Sequence, residues 1–292
     1  MAIRDLGYRP YDGPRLPASN NVAVMLRHSL RRAWGSALVK IATFLAFAPT
    51  LIYAALVVGR RLLMRQMYQD PEIDPISARE TLRGLYAVQI WLFVSMVTVG
   101  AGASAIAEDL SHKAFQFYFA KPVTPAQYLF GRVGAVAIWV FGITFVPAML
   151  VDLALVGTAR GEAALEQLGL LLPCLAFSLV IAVVMSTGSV AISSLSKSRA
   201  LTMSAWIVVF VVPFVIAQVA DAIARATGTD EGWPWLFLAS LTGLLGRVGD
   251  LIFHVESDSP LRWWHGACAL VAFVGGAHAL AWRRLRRAEV IT

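Results

Sequence analysis

The sequence predicts an all-α membrane protein with six transmembrane helices, and three observations predict it. The first is composition. Hydrophobic residues make up 58% of the chain and charged residues only 15%, whereas a soluble domain carries about 25% charge. The second is segmentation. Six apolar runs, near 38–58, 86–106, 133–156, 168–195, 200–222 and 263–282, each approach the roughly 20 residues that a helix needs to cross about 30 Å of hydrocarbon. Helices suit runs of this length and continuity, because in lipid the backbone must satisfy its own polar groups. The third is the placement of basic residues. With both ends cytoplasmic, sixteen of the 25 Lys and Arg fall inside and nine outside, the bias of the positive-inside rule. The RRLRR run at 283–287 anchors the last span inside. The segment 59–85 is discordant, with Arg60, Arg61, Arg65, Arg79 and Arg83 outside. The net charge of +7 therefore reads as topology and contact with anionic lipid, not as nucleic-acid binding.

Residues 1–37 form a cytoplasmic N-terminal segment, and residues 38–292 a single six-helix domain. The first 37 residues hold no early apolar core or small-residue cleavage site, so no signal peptide is expected. From Ser19 or Asn20 the pattern turns helical. Val22, Met25, Leu26, Ser29, Leu30 and Ala33 share one face, and Arg27, Arg31 and Arg32 are basic. That pattern predicts an amphipathic interfacial helix on the cytoplasmic leaflet, with Asn20 a candidate cap. Pro49, Pro147 and Pro213 lie inside spans and should kink them.

The fourth span is small and hydroxylated in its inner half, at Ser186, Thr187, Gly188, Ser189 and Ser193. Such residues serve close helix packing, and the alternative is an inward-facing vestibule. Between the fifth and sixth spans the shorter stretch 233–253 holds Arg247, Asp250 and several glycines. It reads as a re-entrant or interfacial helix-turn-helix in the outer leaflet. Asp152 and Asp221 lie near outer span ends, close enough to the surface to be hydrated, with structural or substrate-path roles open to them. Cys174 and Cys268 read as small buried hydrophobes, not as a disulfide pair. The five histidines show no metal-ligand spacing. There is no G-x-x-x-x-G-K-[ST] phosphate loop, H-E-x-x-H or G-x-S-x-G.

The richest stretch is 107–132, AEDLSHKAFQFYFAKPVTPAQYLFGR, a polar elbow between the second and third spans. Glu108 and Asp109 suit the first turn of a helix. Phe115, Tyr118 and Phe119 then share one face, with His112 one turn earlier. The spacing predicts a helix over 108–119. Lys121-Pro122-Val123-Thr124-Pro125 breaks it. Thr124 can cap the next helix with Pro125 at its first position, and that helix runs through Tyr128 to Gly131 and Arg132.

Six spans, an amphipathic N-terminal helix and the string E-D-x(11)-K-P-V-T-P-x-x-Y-x-x-G-R together resemble the permeases of type-2 ABC transporters. The matching positions are Glu108, Asp109, Pro122, Val123, Thr124, Tyr128, Gly131 and Arg132. The likeness covers the whole chain in topology and about 25 residues in motif. It implies an exporter subunit of a prokaryotic inner membrane. It also implies a coupling helix in the elbow and short outer helices between spans five and six. The implied partners are a separate ATPase subunit in two copies, which binds ATP and Mg, and a second permease copy, identical or related. In that arrangement Glu108, Asp109, His112, Phe115, Tyr118 and Phe119 meet the ATPase, and this chain carries no cofactor of its own. Asp152, Ser186, Ser189, Ser193 and Asp221 are the path or packing candidates. A non-transporting membrane anchor or sensor that recruits an ATPase shares these features. An intramembrane enzyme would need a polar cluster that Asp152, Asp221 and His278 do not form by their spacing.

Overall fold

The computed structural model describes residues 20–67, 77–115, 118, 123–159, 161–228, 234–256 and 261–291. Among them the regular structure is helical throughout, and six helices are long and apolar enough to cross a membrane. These are Ala37–Leu63, Ala78–Ser111, Pro125–Thr158, Ala163–Ser193, Arg199–Thr227 and Trp263–Arg287. Several run past the apolar segments that mark them in the sequence. The second starts eight residues before 86 and ends at Ser111, and the third begins at Pro125, so that Tyr128, Gly131 and Arg132 lie in its first turns as the capping pattern predicts. Helices do not end where hydrophobicity does; caps end them. Ser77 accepts a hydrogen bond from the Glu80 amide to start the second span. Thr124 and Gln127 form a reciprocal capping box, with Pro125 at the first position, to start the third.

Spans two, three and four make the centre. Their apolar windows are 72%, 39% and 44% buried within this chain, against 22%, 17% and 17% for spans one, five and six. The outer three therefore present broad apolar faces, such as Leu51, Ile52 and Leu56 on the first and Val215, Ile216 and Val219 on the fifth. Cys268 is exposed on the sixth span while Cys174 is buried. The expectation that both thiols are buried is corrected for Cys268, because the sixth span turns much of its surface outward.

The second span is the irregular one. Two π-helical turns, Gln89–Val94 and Thr98–Gly102, interrupt it, followed by a non-helical turn before Ala107–Ser111. Wide turns of this kind are found mostly where a helix accommodates a neighbour or a site. Buried polar groups from neighbouring spans meet it here. The Trp206 indole of the fifth span donates to Thr98 Oγ1 at 2.9 Å. Gln89 donates from Nε2 to the Ala46 carbonyl at 2.9 Å. Ala46 is where the first span breaks into Ala37–Leu45 and Phe47–Met67. Pro49 lies in the first turn of the second piece, so its missing amide falls where no intrahelical donor is needed.

The hydroxylated half of the fourth span faces inward. Ser186, Ser189 and Ser193 are fully buried, and Ser193 Oγ accepts from the Ile106 and Ala107 amides at 2.8 and 2.9 Å. One hydroxyl thus satisfies two donors freed by the broken second span. At Gly102 a Cβ would come within 2.1 Å of Ser189 Oγ, and at Gly188 within 2.6 Å of the Phe273 ring. The face packs against spans two, five and six.

Residues 233–253 give a 3-10 turn, Pro234–Ala239, and a helix, Leu241–Phe253, capped by Ser240. Thirteen residues make about 20 Å of helix, too short to cross roughly 30 Å of hydrocarbon. Leu241, Leu244, Leu245, Val248 and Phe253 are buried. The N-terminal helix, Asn20–Gly35, packs on the first turns of the third span through Met25, Ser29 and Ala33. Gly131 permits that crossing: a Cβ there would lie 2.6 Å from Met25 Cβ.

Gly102→Ala is expected to destabilise the protein by about 1–3 kcal/mol through overpacking against Ser189. Ser189→Gly in the same chain should recover part of that loss. Thermal unfolding of the detergent-solubilised single and double variants reads both effects, and equal melting of Gly102→Ala and the parent would show that the seam is loose.

Candidate coupling site

The elbow starts from one carboxylate. Asp109, at the end of the second span, is 4% exposed. It accepts from Arg32 Nη1 at 2.8 Å, and also from Arg132 Nη2 and from the Tyr128 hydroxyl. Its neighbour Glu108 binds Arg32 on one oxygen and Arg199 Nη1 at 2.9 Å on the other. Arg132 also donates to Ser29 Oγ at 3.3 Å, and its guanidinium lies 5.2 Å from the centre of the Tyr128 ring. Four elements meet here: the N-terminal helix, the end of span two, the start of span three and the start of span five.

Each side chain is placed by local helix geometry. Glu108 and Asp109 are adjacent, so their side chains diverge, one toward Arg199 and one toward Arg132. Tyr128 and Arg132 are four apart on one helix face, and both reach Asp109. Arg32 follows Ser29 by three and so shares the helix face that packs on span three. Charge-assisted hydrogen bonds from forked guanidinium groups are the strong kind. Burial alone would lower the Arg32 pKa; the Asp109 charge and the Glu108 hydrogen bond outweigh it and raise that pKa above its ordinary value. Three guanidinium groups against two carboxylates leave one excess positive charge. A cavity of about 220 Å³ opens beside the cluster, with Ser29, Arg32, Ser104, Glu108 and Arg199 on its wall.

The helix expected over 108–119 is interrupted at 112–114, and Phe115 and Tyr118 are helical again beyond the break. The α-helix Ala107–Ser111 ends at His112, and Lys113 takes a left-handed backbone with φ of 53°, a conformation uncommon for a residue with a Cβ. The outward aromatic face is corrected as well. Phe115 is 4% exposed, and its ring centre lies 5.3 Å from that of Tyr128; Tyr118 lies 5.5 Å from the same ring. Aromatic surface of that size buries itself against an available ring, and Tyr128 offers one within the chain. Ser111, His112 and Lys113 form the exposed tip. Phe119 and Pro122 lie outside the described residues. Val123 packs on the core, Thr124 caps, and Gly131 and Arg132 bind the N-terminal helix and Asp109.

The two intramembrane acids do not meet. Asp221 pairs with Arg225 at 2.5 Å on an exposed helix end. Asp152 is fully buried, and neither carboxylate oxygen has a hydrogen-bond partner among the described residues. The expectation of a hydrated Asp152 is corrected: spans one, two and four close over that face of span three. The sequence places Ser29 and Arg32 only on the interfacial helix and does not single out Arg199, because polar residues at helix ends look alike until their partners are placed. Among the described residues, no three His, Cys, Asp or Glu side chains could together hold a metal ion.

Asp109→Asn keeps the shape and removes the charge that balances Arg132. Breaking a buried pair in this way is expected to cost about 3–5 kcal/mol. Arg199→Gln, removing a half-exposed partner, should cost no more than about 1 kcal/mol. Thermal unfolding checks the order of the two. Asp152→Leu should stabilise by about 1–3 kcal/mol, since it removes a buried polar group that lacks a partner; a lower melting temperature would show that the carboxylate is held by something it needs.

Compared with models of protein families, residues 25–233 match the family described as ABC-2 family transporter protein. None of the curated proteins compared with the chain matches it.

Proposed function

This chain belongs to the ABC-2 family of transporter proteins and is a membrane permease component of an ABC transporter, and on that footing we propose that it serves an exporter driven by a separate ATPase. In this reading the ATPase partner binds ATP and Mg, two copies of it meet two permease copies, and both termini face the cytoplasm at a prokaryotic inner membrane. The permease copies pair through the apolar faces of the first and fifth spans. The small face of span four is already buried within one chain and is not free to pair.

One observation carries the coupling reading. Ser111, His112 and Lys113 are exposed and directly follow a charge network, buried at Asp109 and Arg132, that joins four helical elements. A force applied at the tip reaches Asp109 within two to four residues. From there it passes to spans two, three and five and the N-terminal helix together, as rigid elements rather than through a soft loop. Nucleotide-driven closure of the ATPase pair would then shift the bundle between two packings. Glu108 and Asp109 take part by bracing the lever and not by touching the partner. The direct contacts fall to the tip and to the segment after it.

His112→Glu with Lys113→Glu is expected to reduce co-purification of the ATPase at least ten-fold while the permease melts within about 2 °C of the parent, as exposed substitutions usually do. Mass measurement of the parent complex should give two permeases and two ATPases. Unchanged co-purification and unchanged ATP hydrolysis in the double variant would remove the tip from the interface.

A further inference from the structure

Beside the elbow network, the cavity of about 220 Å³ gathers groups that attract anions. Its wall carries three guanidinium groups, Arg32, Arg132 and Arg199, against one carboxylate, Glu108. Arg132 is 2% exposed, and its Nη groups donate to Ser29, Asp109 and Tyr118. Its Nε is buried and has no hydrogen-bond partner among the described residues, and a buried donor left unpaired is costly. The second feature is a helix start. Gly35, Ser36 and Ala37 also line the cavity. The first piece of span one, Ala37–Leu45, begins there, and Ser36 at its N-cap makes no side-chain cap. The first amides of a helix have no acceptor within it, and together with the helix dipole they favour an anion. Gly100 keeps this corner open: a Cβ there would lie 2.8 Å from Ser36 Oγ.

The carboxylate in the wall decides which anion fits. Glu108 binds Arg32 on one oxygen and Arg199 on the other, and each carboxylate oxygen can accept more than one hydrogen bond. A fully ionised anion such as sulfate meets Glu108 with repulsion only. Inorganic phosphate keeps at least one P–OH at neutral pH. That hydroxyl can donate to Glu108 while the ionised oxygens take guanidinium and amide donors. A phosphodiester, the link in most phospholipid headgroups, has no P–OH and meets the same repulsion as sulfate. The apolar part of the wall is short, with Ala33, Ala101, Ala105 and Ala135 in it, so recognition rests on the charged and polar groups.

We propose that this cavity binds inorganic phosphate, its ionised oxygens on Arg132, Arg199 and the amides that follow Ser36, and its P–OH on Glu108. Bound there, the ion joins the start of span one to the elbow network. That this tunes coupling rests on the coupling reading above; the binding itself does not. The test is equilibrium dialysis of the full chain, in a neutral detergent at neutral pH, against radiolabelled phosphate, with sulfate as competitor at matched ionic strength. One phosphate should bind per chain, at least ten-fold more tightly than sulfate. Both ions favour folded proteins non-specifically, so the comparison removes that effect. Arg199→Gln, whose cost in stability is small, should weaken phosphate at least ten-fold. Glu108→Gln should bring sulfate within about three-fold of phosphate, because the amide carries no charge to repel it. Arg225→Gln, an exposed arginine outside the cavity, should change nothing. Should a variant melt early, the preference of the parent decides alone, since it needs no substitution. Equal binding of the two ions by the parent, or unchanged phosphate binding in a folded Arg199→Gln, overturns the proposal. So does displacement of the phosphate by phosphatidylglycerol, a phosphodiester, which assigns the cavity to a lipid headgroup. No ATP or ATPase enters the measurement, so its failure leaves the coupling reading standing, and failure of ATPase co-purification leaves the phosphate site standing.

Discussion

The buried carboxylate of Asp109 is the interaction on which the rest of the arrangement depends. A carboxylate taken out of water is costly unless charge and hydrogen bonds replace its hydration. Asp109 obtains both from Arg32, Arg132 and the Tyr128 hydroxyl. Those donors come from two other elements, so satisfying one anion fixes the N-terminal helix and the start of span three against the end of span two. Glu108 extends the tie to Arg199 at the start of span five. The aromatic rings of Phe115 and Tyr118 then close over Tyr128 and keep solvent from it.

The same logic explains why the second span is irregular. A straight helix through lipid satisfies its own backbone and needs nothing from its neighbours. The break before Ala107 frees backbone amides, and Ser193 of span four accepts from two of them, while Trp206 of span five bonds the Thr98 hydroxyl at the second π-turn. Gly102 and Ser189 let the backbones approach closely enough for those bonds to form. Irregularity and small residues are thus two halves of one packing solution. It leaves the central three spans tightly tied and the outer three with apolar surface to spare.

The chain carries unlike chemistry at its two ends. At one end acids and arginines neutralise one another around a braced, exposed tip. At the other, Arg83 pairs with Asp250 on the wall of a cavity that Tyr86, Trp91, Phe177 and Phe214 also line. Between them lies Asp152, buried and unpartnered. The polar groups inside this bundle therefore do different work: some hold helices together, and one is a cost the fold carries.

Much was legible in the sequence alone. Six runs of apolar residues determined six helices, because hydrocarbon thickness sets a length that few other structures satisfy. Thr124-Pro125 with Gln127 announced the start of the third span, because capping is local chemistry. The string around Pro122 to Arg132 pointed to the family. What sequence could not decide was who faces whom. Glu108 and Asp109 have the same local signature whether they bind a partner protein or the chain's own arginines. Phe115 and Tyr118 make the same stripe whether it turns outward or onto Tyr128, and the hydroxylated stripe of span four does not say whether it lines a path or a seam. Only the tertiary structure decided these, because a salt bridge between residues 32 and 109, or a contact between Gly102 and Ser189, depends on how separate helices cross, and no local pattern encodes that crossing.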